Sequence, residues 1–544
     1  VINPASSQRI EVVRGPATLL YGSNAIGGLV NVLTDQIPSQ RVNGAKGQFT
    51  LDLGSNAREA AGAAEVRVGN GSMALSIGAN GRHAGNYRTA DGEIENSQMR
   101  QDGVNIGVSR TMEKSYVGAS YAFDDSKYGI PLVEEGETRL TPQRHAFTIR
   151  AGGSGLDGGI SSFRATLGIK RYNHDELDGE EVVTHFDNDT EEAELLLSHK
   201  QVGRLAGSIG ASFLNRDFSA EGEEALAPPT GQRGGAIFLY EELVWPHTTV
   251  QFGARGDHTK FSPEGGLPER TFNEFSGSVG LLLRPAAAND RFVIALSLAR
   301  AARNPALEEL YYYGVHAGNF AFEIGNPDLG AERALGFDVS LRARAPRVQG
   351  EVTFFRNSIN DFIFRNPLTS AEVLRRTAEF NTRFGAAGPI DSEDFPVIEY
   401  IAADSVLQGV EAHADIEVLP SLIAELTSDF VRGELQDSGE PLPRIPPFRV
   451  LGGLRYHRNA FQIGGNMSHV GDQNRVFGAE SPTEGYTLLK LFASYSFAAA
   501  GVNNTITLRL DNATNELYFN HLNYLKDILP EMGRNFKVVY SINF

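Results

Sequence analysis

Four stretches of this 544-residue chain gather side chains that could bind a metal ion. "YNHDELDGEEVVTHFDNDTEE" (172–192) collects His174, Asp175, Glu176, His185, Asp187 and Asp189, with no lysine or arginine after Arg171. "RDFSAEGEEALAPPTG" (216–231) sets Glu221, Glu223 and Glu224 ahead of a rigid Pro-Pro pair. "LYYYGVHAGNFAFEIGNPDLG" (310–330) places His316 and Glu323 among tyrosines and phenylalanines, and "YGIPLVEEGE" (128–137) adds Glu134 and Glu135. Imidazole and carboxylate without thiol is the donor set of Zn²⁺ or a similar borderline divalent ion. A site would need three or four of these groups to converge from different segments. Acidic runs are also the ordinary composition of solvated loops, so spacing alone does not decide between the two.

The elements that would position these groups are strands. In "NFKVVYSINF", Phe536, Val538, Tyr540, Ile542 and Phe544 fall on one face, and strict period-2 alternation marks a strand with two unlike faces. The unit recurs in "TLLKLFASYSF" (487–497) and "NTITLRLDN" (504–512), and more loosely in 47–54, 115–123 and 351–358. Connections alternate between short ones, such as 70–72, 111–114 and 201–204, and long ones at about 84–97, 126–143, 174–190, 218–232, 304–331, 360–402, 434–446, 471–484 and 513–531. From Gly44 onward this rhythm gives about 22 strands, and short turns on one side with long loops on the other is the asymmetry of an outer-membrane barrel. By strand parity every long connection falls on the outer side. The reading is all-β: a 22-stranded antiparallel transmembrane β-barrel over 42–544 behind a small N-terminal element at 1–41. The lone Trp245, in the short turn "WPHT", reads as an anchor at the inner interface.

Composition excludes several classes. There is no cysteine, hence no disulfide framework. A net charge of −18 without a basic stripe argues against a nucleic-acid partner. No stretch is long and apolar enough for a membrane helix, and no signal peptide is visible. Nucleophile-elbow, H-E-x-x-H and phosphate-loop patterns are missing, so the reading is not an enzyme.

The opening stretch, "RIEVVRGPATLLYGSNAIGGLVNVLTD" (9–35), resembles the C-terminal part of the plug domain of TonB-dependent outer-membrane receptors. The strand ending in Phe544 looks like that family's barrel-assembly signal, and "RAARNPALEELY" with "GNPDLGAE" resembles its outer-loop signature. On this resemblance residues 1–41 are the plug remnant, with its motif in Arg14, Gly15, Pro16, Tyr21, Gly22, Gly27, Gly28 and Asn31. Most of the plug, and the segment gripped by a TonB-type energising protein, would then precede Val1. Glycines here permit tight turns, Pro16 fixes one of them, and Arg14 is expected inside the barrel with a carboxylate or carbonyl partner. The implied setting is the bacterial outer membrane, with lipid around the wall and a small cargo within.

The loops further resemble those of ZnuD-like zinc-uptake receptors. That resemblance implies Zn²⁺ as transported cargo rather than a covalently bound cofactor, held by His316 with Glu223 or Glu224. His174, Asp175, Glu176 and Glu323 are further candidate ligands. Haem or another metal chelate, such as a siderophore, is the alternative, because haem receptors of the superfamily place a histidine between two such signatures. His316 would then be an axial iron ligand, with Tyr311 to Tyr313 against the porphyrin. Against it stands the acidity of the loops beside a dianionic porphyrin. A passive porin or adhesin-like barrel is the remaining alternative.

Overall fold

The computed structural model describes residues 9–13, 15–22, 26–34, 36–131, 138–222, 225–285, 291–384, 390, 395–478 and 480–544, and the side chains of all these except Pro16 and Ala317. Among them, twenty-five strands hydrogen-bond into one closed barrel. Three of these, Thr138–Leu140, Tyr313–His316 and Ala321–Ile324, are short pieces at one end. The remaining 22 form the wall, each antiparallel to its neighbours, from Asn43–Gly54 to Asn535–Asn543, which pair and close the ring.

The apolar residues of the wall point away from the lumen. Ile77 is 51% exposed and lies opposite Ile106, itself 48% exposed, while Leu167 at 54%, Ile209 at 52%, Ile237 at 68% and Phe275 at 58% continue the band around the barrel. An exposed apolar belt of this extent is what lipid covers. Closure is tight at the last strand: Gly47 exchanges two backbone hydrogen bonds with Phe544, at 2.9 and 3.0 Å, and has no side chain to collide with the Phe544 ring.

Turns at one end are short, as at 71–72, 112–114, 346–347 and 500–501. The other end carries 85–98, 304–331, 368–396 and 512–534. Trp245 sits in a short-end turn, under the Arg204 guanidinium at 5.4 Å.

Two expectations about the outer end are corrected. The segment 174–190 is not a loop: strands Ile160–Asp178 and Glu181–His199 run on as a ribbon that turns at Gly179 and Glu180. And 360–402, expected as a loop, holds strand to Pro367, a helix at Ser370–Phe384 and strand again from Val397. The helix has a T-x-x-E capping box, with Thr369 N donating to Glu372 Oε2 at 2.8 Å and Glu372 N to Thr369 Oγ1 at 3.4 Å. It buries Val373 and Phe380 against Phe322, Ile324, Ile390 and Val397.

Inside the barrel, Arg9–Val13 pairs with Leu29–Leu33, and a 3₁₀ turn at Pro16–Leu20 leans on the wall strands that start at Thr230, Thr248 and Arg270. Gly15 (φ 76°) and Gly28 (φ 140°) occupy the left-handed region that a side chain would strain. Arg14 lies outside the described residues. From the wall, Arg255, 6% exposed, donates Nη1 to the Leu19 carbonyl at 3.3 Å and is held by Asp257 at 2.9 Å. Asn31 reaches Glu11 across the hairpin at 3.4 Å. Tyr21, Gly22, Gly28 and Asn31 line a cavity of about 870 Å³ against Arg150, Arg164 and Glu192 of the wall.

Candidate functional site

The outer connection 304–331 is anchored before it does anything else. Arg303, the last residue of its incoming strand, grips Glu309 through both terminal nitrogens, at 3.0 and 3.1 Å, and gives Nε to Glu332 at 2.6 Å. Glu309 also accepts from the Ala306 amide at 2.7 Å, and Glu332 from the Ile363 amide at 2.8 Å. The two signature stretches are therefore one structure: Asn326 N donates to the Glu309 carbonyl at 2.8 Å, and Asn326 caps its own turn at Asp328 N, 3.0 Å away. A short helix, Leu307–Tyr311, sinks Leu307, Leu310 and Tyr311 into the core.

From this base the hairpin Tyr313–His316/Ala321–Ile324 projects across the mouth. Its second strand pairs in parallel with the strand from Val397, putting Glu323 beside Ile398 and Ile324 beside Glu399. Glu323 is wholly buried, and both carboxylate oxygens are engaged. Oε1 accepts from Arg365 Nη2 at 2.8 Å and Asn319 Nδ2 at 2.7 Å, and Oε2 from the Tyr400 hydroxyl at 2.8 Å. His316 Nδ1 stands 3.3 Å from Oε1 and 2.8 Å from Asn319 Nδ2. Burial alone would raise this carboxyl, but the His316 hydrogen bond and the Arg365 charge outweigh it and hold it at about 2.

The His316 side chain is 31% exposed, open enough to meet a ligand, and its ring lies edge-on to Tyr312 at 6.0 Å. The tyrosines beside it are not a free face. Tyr311 is buried with its hydroxyl on the Pro268 carbonyl at 2.9 Å, Tyr312 is 8% exposed, and Tyr313 stacks on Phe384 at 4.9 Å. They build the loop's own core.

The ribbon separates the other histidine–carboxylate group by strand alternation. His174 pairs with Phe186 and stacks on it at 4.4 Å, and Glu176 lies opposite Thr184, on the same face as His174. Desolvation lowers His174 to about 4. Asp175, His185 and Asp187 take the opposite face, with His185 between the two carboxylates at 2.5 and 3.2 Å. The Asp175 hydrogen bond raises His185 above its ordinary value. Phe186, on the face that carries His174 and Glu176, belongs to one buried cluster with Leu310 and Tyr312, which brings that face of the ribbon up to the base of the hairpin. Among the described residues no three histidine or carboxylate groups stand together as a metal site. Glu134, Glu135, Glu223 and Glu224 lie outside them.

Sequence reasoning missed Arg303, Asn319, Arg365 and Tyr400. No local signal marks the last two, because they reach Glu323 from 42 and 77 positions away.

A family model described as "TonB dependent receptor-like, beta-barrel" matches residues 53–515, and one described as "TonB-dependent Receptor Plug Domain" matches residues 1–29. The chain is similar to the Heme/hemopexin utilization protein C of Haemophilus influenzae, 29% identical over 263 residues, covering 44% of this chain and 34% of that protein. It is also similar to the Hemin receptor of Yersinia enterocolitica, 23% identical over 595 aligned positions, 99% of this chain and 80% of that protein. The chain thus spans about a third of the length of the first of these relatives. Among solved structures, the "Copper transporter OprC" superimposes with a TM-score of 0.86 at 16% identity, over 100% of this chain and 86% of that one. The Serratia marcescens hemophore receptor HasR, in complex with its hemophore HasA and heme, gives 0.76 at 14%, over 99% and 87%. At those identities the likeness is one of fold.

Proposed function

The chain belongs to the TonB-dependent receptors, outer-membrane β-barrels that are not enzymes, and from that premise we propose that it captures haem for energised uptake. The observation that carries this reading is His316 against Glu323. His316 Nδ1 lies 3.3 Å from the buried carboxylate and 2.8 Å from Asn319 Nδ2; in the tautomer that carries its proton on Nδ1 the ring is turned to Glu323 and the Nε2 lone pair is left for a metal ion, the arrangement by which a carboxylate orients a ligating imidazole. An axial position on haem iron asks for one such imidazole. Two relatives, a heme/hemopexin utilization protein and a hemin receptor by name, support the same choice.

In this reading the outer segments take the porphyrin from dilute solution, and the plug blocks free diffusion. Binding cannot by itself drive uphill movement, so an inner-membrane partner of the TonB type acts on the plug. The test is titration of haemin into the full-length receptor and its His316→Ala variant, followed by the absorption of the bound porphyrin, with Zn²⁺ calorimetry in parallel. Haemin binding that weakens about tenfold or more without His316 is the expected result. Stoichiometric zinc binding that depends on His316, with no haemin binding, overturns it.

A further inference from the structure

Beyond Glu323 the chain of contacts continues to a second cluster, which nothing above has given a role. Arg365, having donated Nη2 to Glu323, lies with its guanidinium carbon 4.6 Å from the centre of the Tyr524 ring, and its Nε is buried without a hydrogen-bond partner. Arg444 approaches the same ring at 3.3 Å. Three separate outer segments therefore bring two guanidiniums and one aromatic ring together: the end of the strand Val348–Pro367 and the connections 436–448 and 512–534.

The chain as a whole carries a net −18, and many of its arginines pair with carboxylates, Arg144, Arg333 and Arg449 among them. Arg444 is different: among the described residues its guanidinium forms no ion pair with a carboxylate. The nearest acidic group, Glu480, accepts the Arg444 backbone amide at 3.2 Å, and its side-chain charge is already met by Lys526 at 3.0 Å and His521 at 3.3 Å. Desolvation lowers the Arg444 pKa, with the neighbouring Arg365 charge acting in the same direction and Tyr524 and Glu480 opposing it. Its backbone holds φ at 59°, a conformation a non-glycine residue keeps only when its surroundings impose it. Tyr524 remains 50% exposed, so the cluster is open on one side.

We propose that Arg365, Arg444 and Tyr524 form an anion subsite that receives a carboxylate group of the cargo while the Tyr524 face lies along its ring system. Guanidinium suits the planar, two-oxygen geometry of a carboxylate, and a partly desolvated pair holds one more strongly than an exposed lysine would. Glu323 then has two tasks, because the same Oε1 orients His316 toward a metal and fixes Arg365 beside Tyr524. The identity of the cargo as haem rests on the reading given above. The subsite itself requires only an anionic carboxylate.

The experiment compares the full-length receptor with its Arg444→Gln and Arg444→Lys variants, titrated with haemin, with haemin whose two carboxylates are esterified, and with citrate alone. Expected is a loss of about tenfold or more in haemin affinity for Arg444→Gln, a smaller loss for Arg444→Lys, and no change for the ester, which binds all three proteins equally weakly. Equal losses for haemin and ester would make Arg444 a packing residue and overturn the proposal. Citrate separates the two claims. Should haemin fail to bind at all, the haem reading falls; citrate binding that depends on Arg444 still upholds the subsite, and citrate binding absent or indifferent to Arg444 removes it.

Discussion

Arg303 donates its Nε to Glu332 at 2.6 Å, joining the last residue of one wall strand to the first residue of the next across the whole connection 304–331. Everything the connection displays, His316 included, stands on this pair.

Replacing Arg303 by alanine leaves Glu332, 3% exposed, and Glu309 without their cation. Removing one partner of a buried pair costs about 3–5 kcal/mol. The loss falls on the connection rather than on the wall, whose hydrogen bonds are untouched. The Arg303→Ala barrel should keep its heat-dependent gel mobility, while limited proteolysis cuts within 304–331 and haemin affinity drops. Arg303→Lys keeps the charge and loses the two-nitrogen grip on Glu309, so it should restore only part of both.

The acid response of the mouth follows from Glu323 and Glu480. Both carboxyls are held at about 2; at Glu480 burial opposes the shift, and His521 and Lys526 overcome it. A folded value below the unfolded one means that the unfolded segment binds more protons in between. The contribution is full above the ordinary carboxyl range and disappears as pH falls toward 2. Amide protection factors in 313–324 and 471–485, corrected for the intrinsic exchange rate at each pH, should therefore be the same at pH 5 and pH 7 and fall steeply between pH 4 and pH 2. Glu323→Gln should remove the pH dependence of the first segment only.

Gly107 lies where the linker after the plug hairpin crosses the wall, and a Cβ there would collide with the Gln36 carbonyl. Gly118 is confined in the same way by the Ile37 side chain. Gly107→Val should push the linker off the wall and speed exchange at Ile37, which is 2% exposed. The same substitution at Gly256, where nothing lies within 4 Å of a Cβ, should change neither.

Arg255 is the wall's contact with the plug turn. Arg255→Ala leaves Asp257 without its cation and the Leu19 carbonyl without its donor, so amide exchange at 17–20 should rise several-fold while the wall strands keep their protection. Arg255→Lys should recover the charge beside Asp257 more fully than the bond to Leu19.

The wall was legible because one face of every strand meets lipid. That imposes the alternation read in 535–544, and the alternation of short and long connections carried the strand number. Above the lipid the rule weakens. At 174–190 one face carries Asp175, His185 and Asp187 and the other mixes His174 and Glu176 with Phe186, so no strict apolar alternation remains and a ribbon reads as a loop. The helix at Ser370–Phe384 had its capping box in plain view at Thr369 and Glu372, overlooked inside a connection expected to be irregular. The site itself lay beyond reach. His316 and Glu323 were singled out as metal-ligand types, but two of the groups that engage Glu323, Arg365 and Tyr400, come from distant strands. Only the closed ring of strands brings Arg365, Tyr400 and Tyr524 to one place.

The ribbon has a practical consequence. Its tip at Gly179, in the left-handed region with φ at 61°, is a turn bordered by hydrogen-bonded strands, and Glu180 beside it is exposed. A peptide tag inserted there would stand at the cell surface, on a connection that carries neither His316 nor Arg444. Antibody labelling of intact cells could then count displayed receptors and separate variants that bind poorly from variants that never arrive.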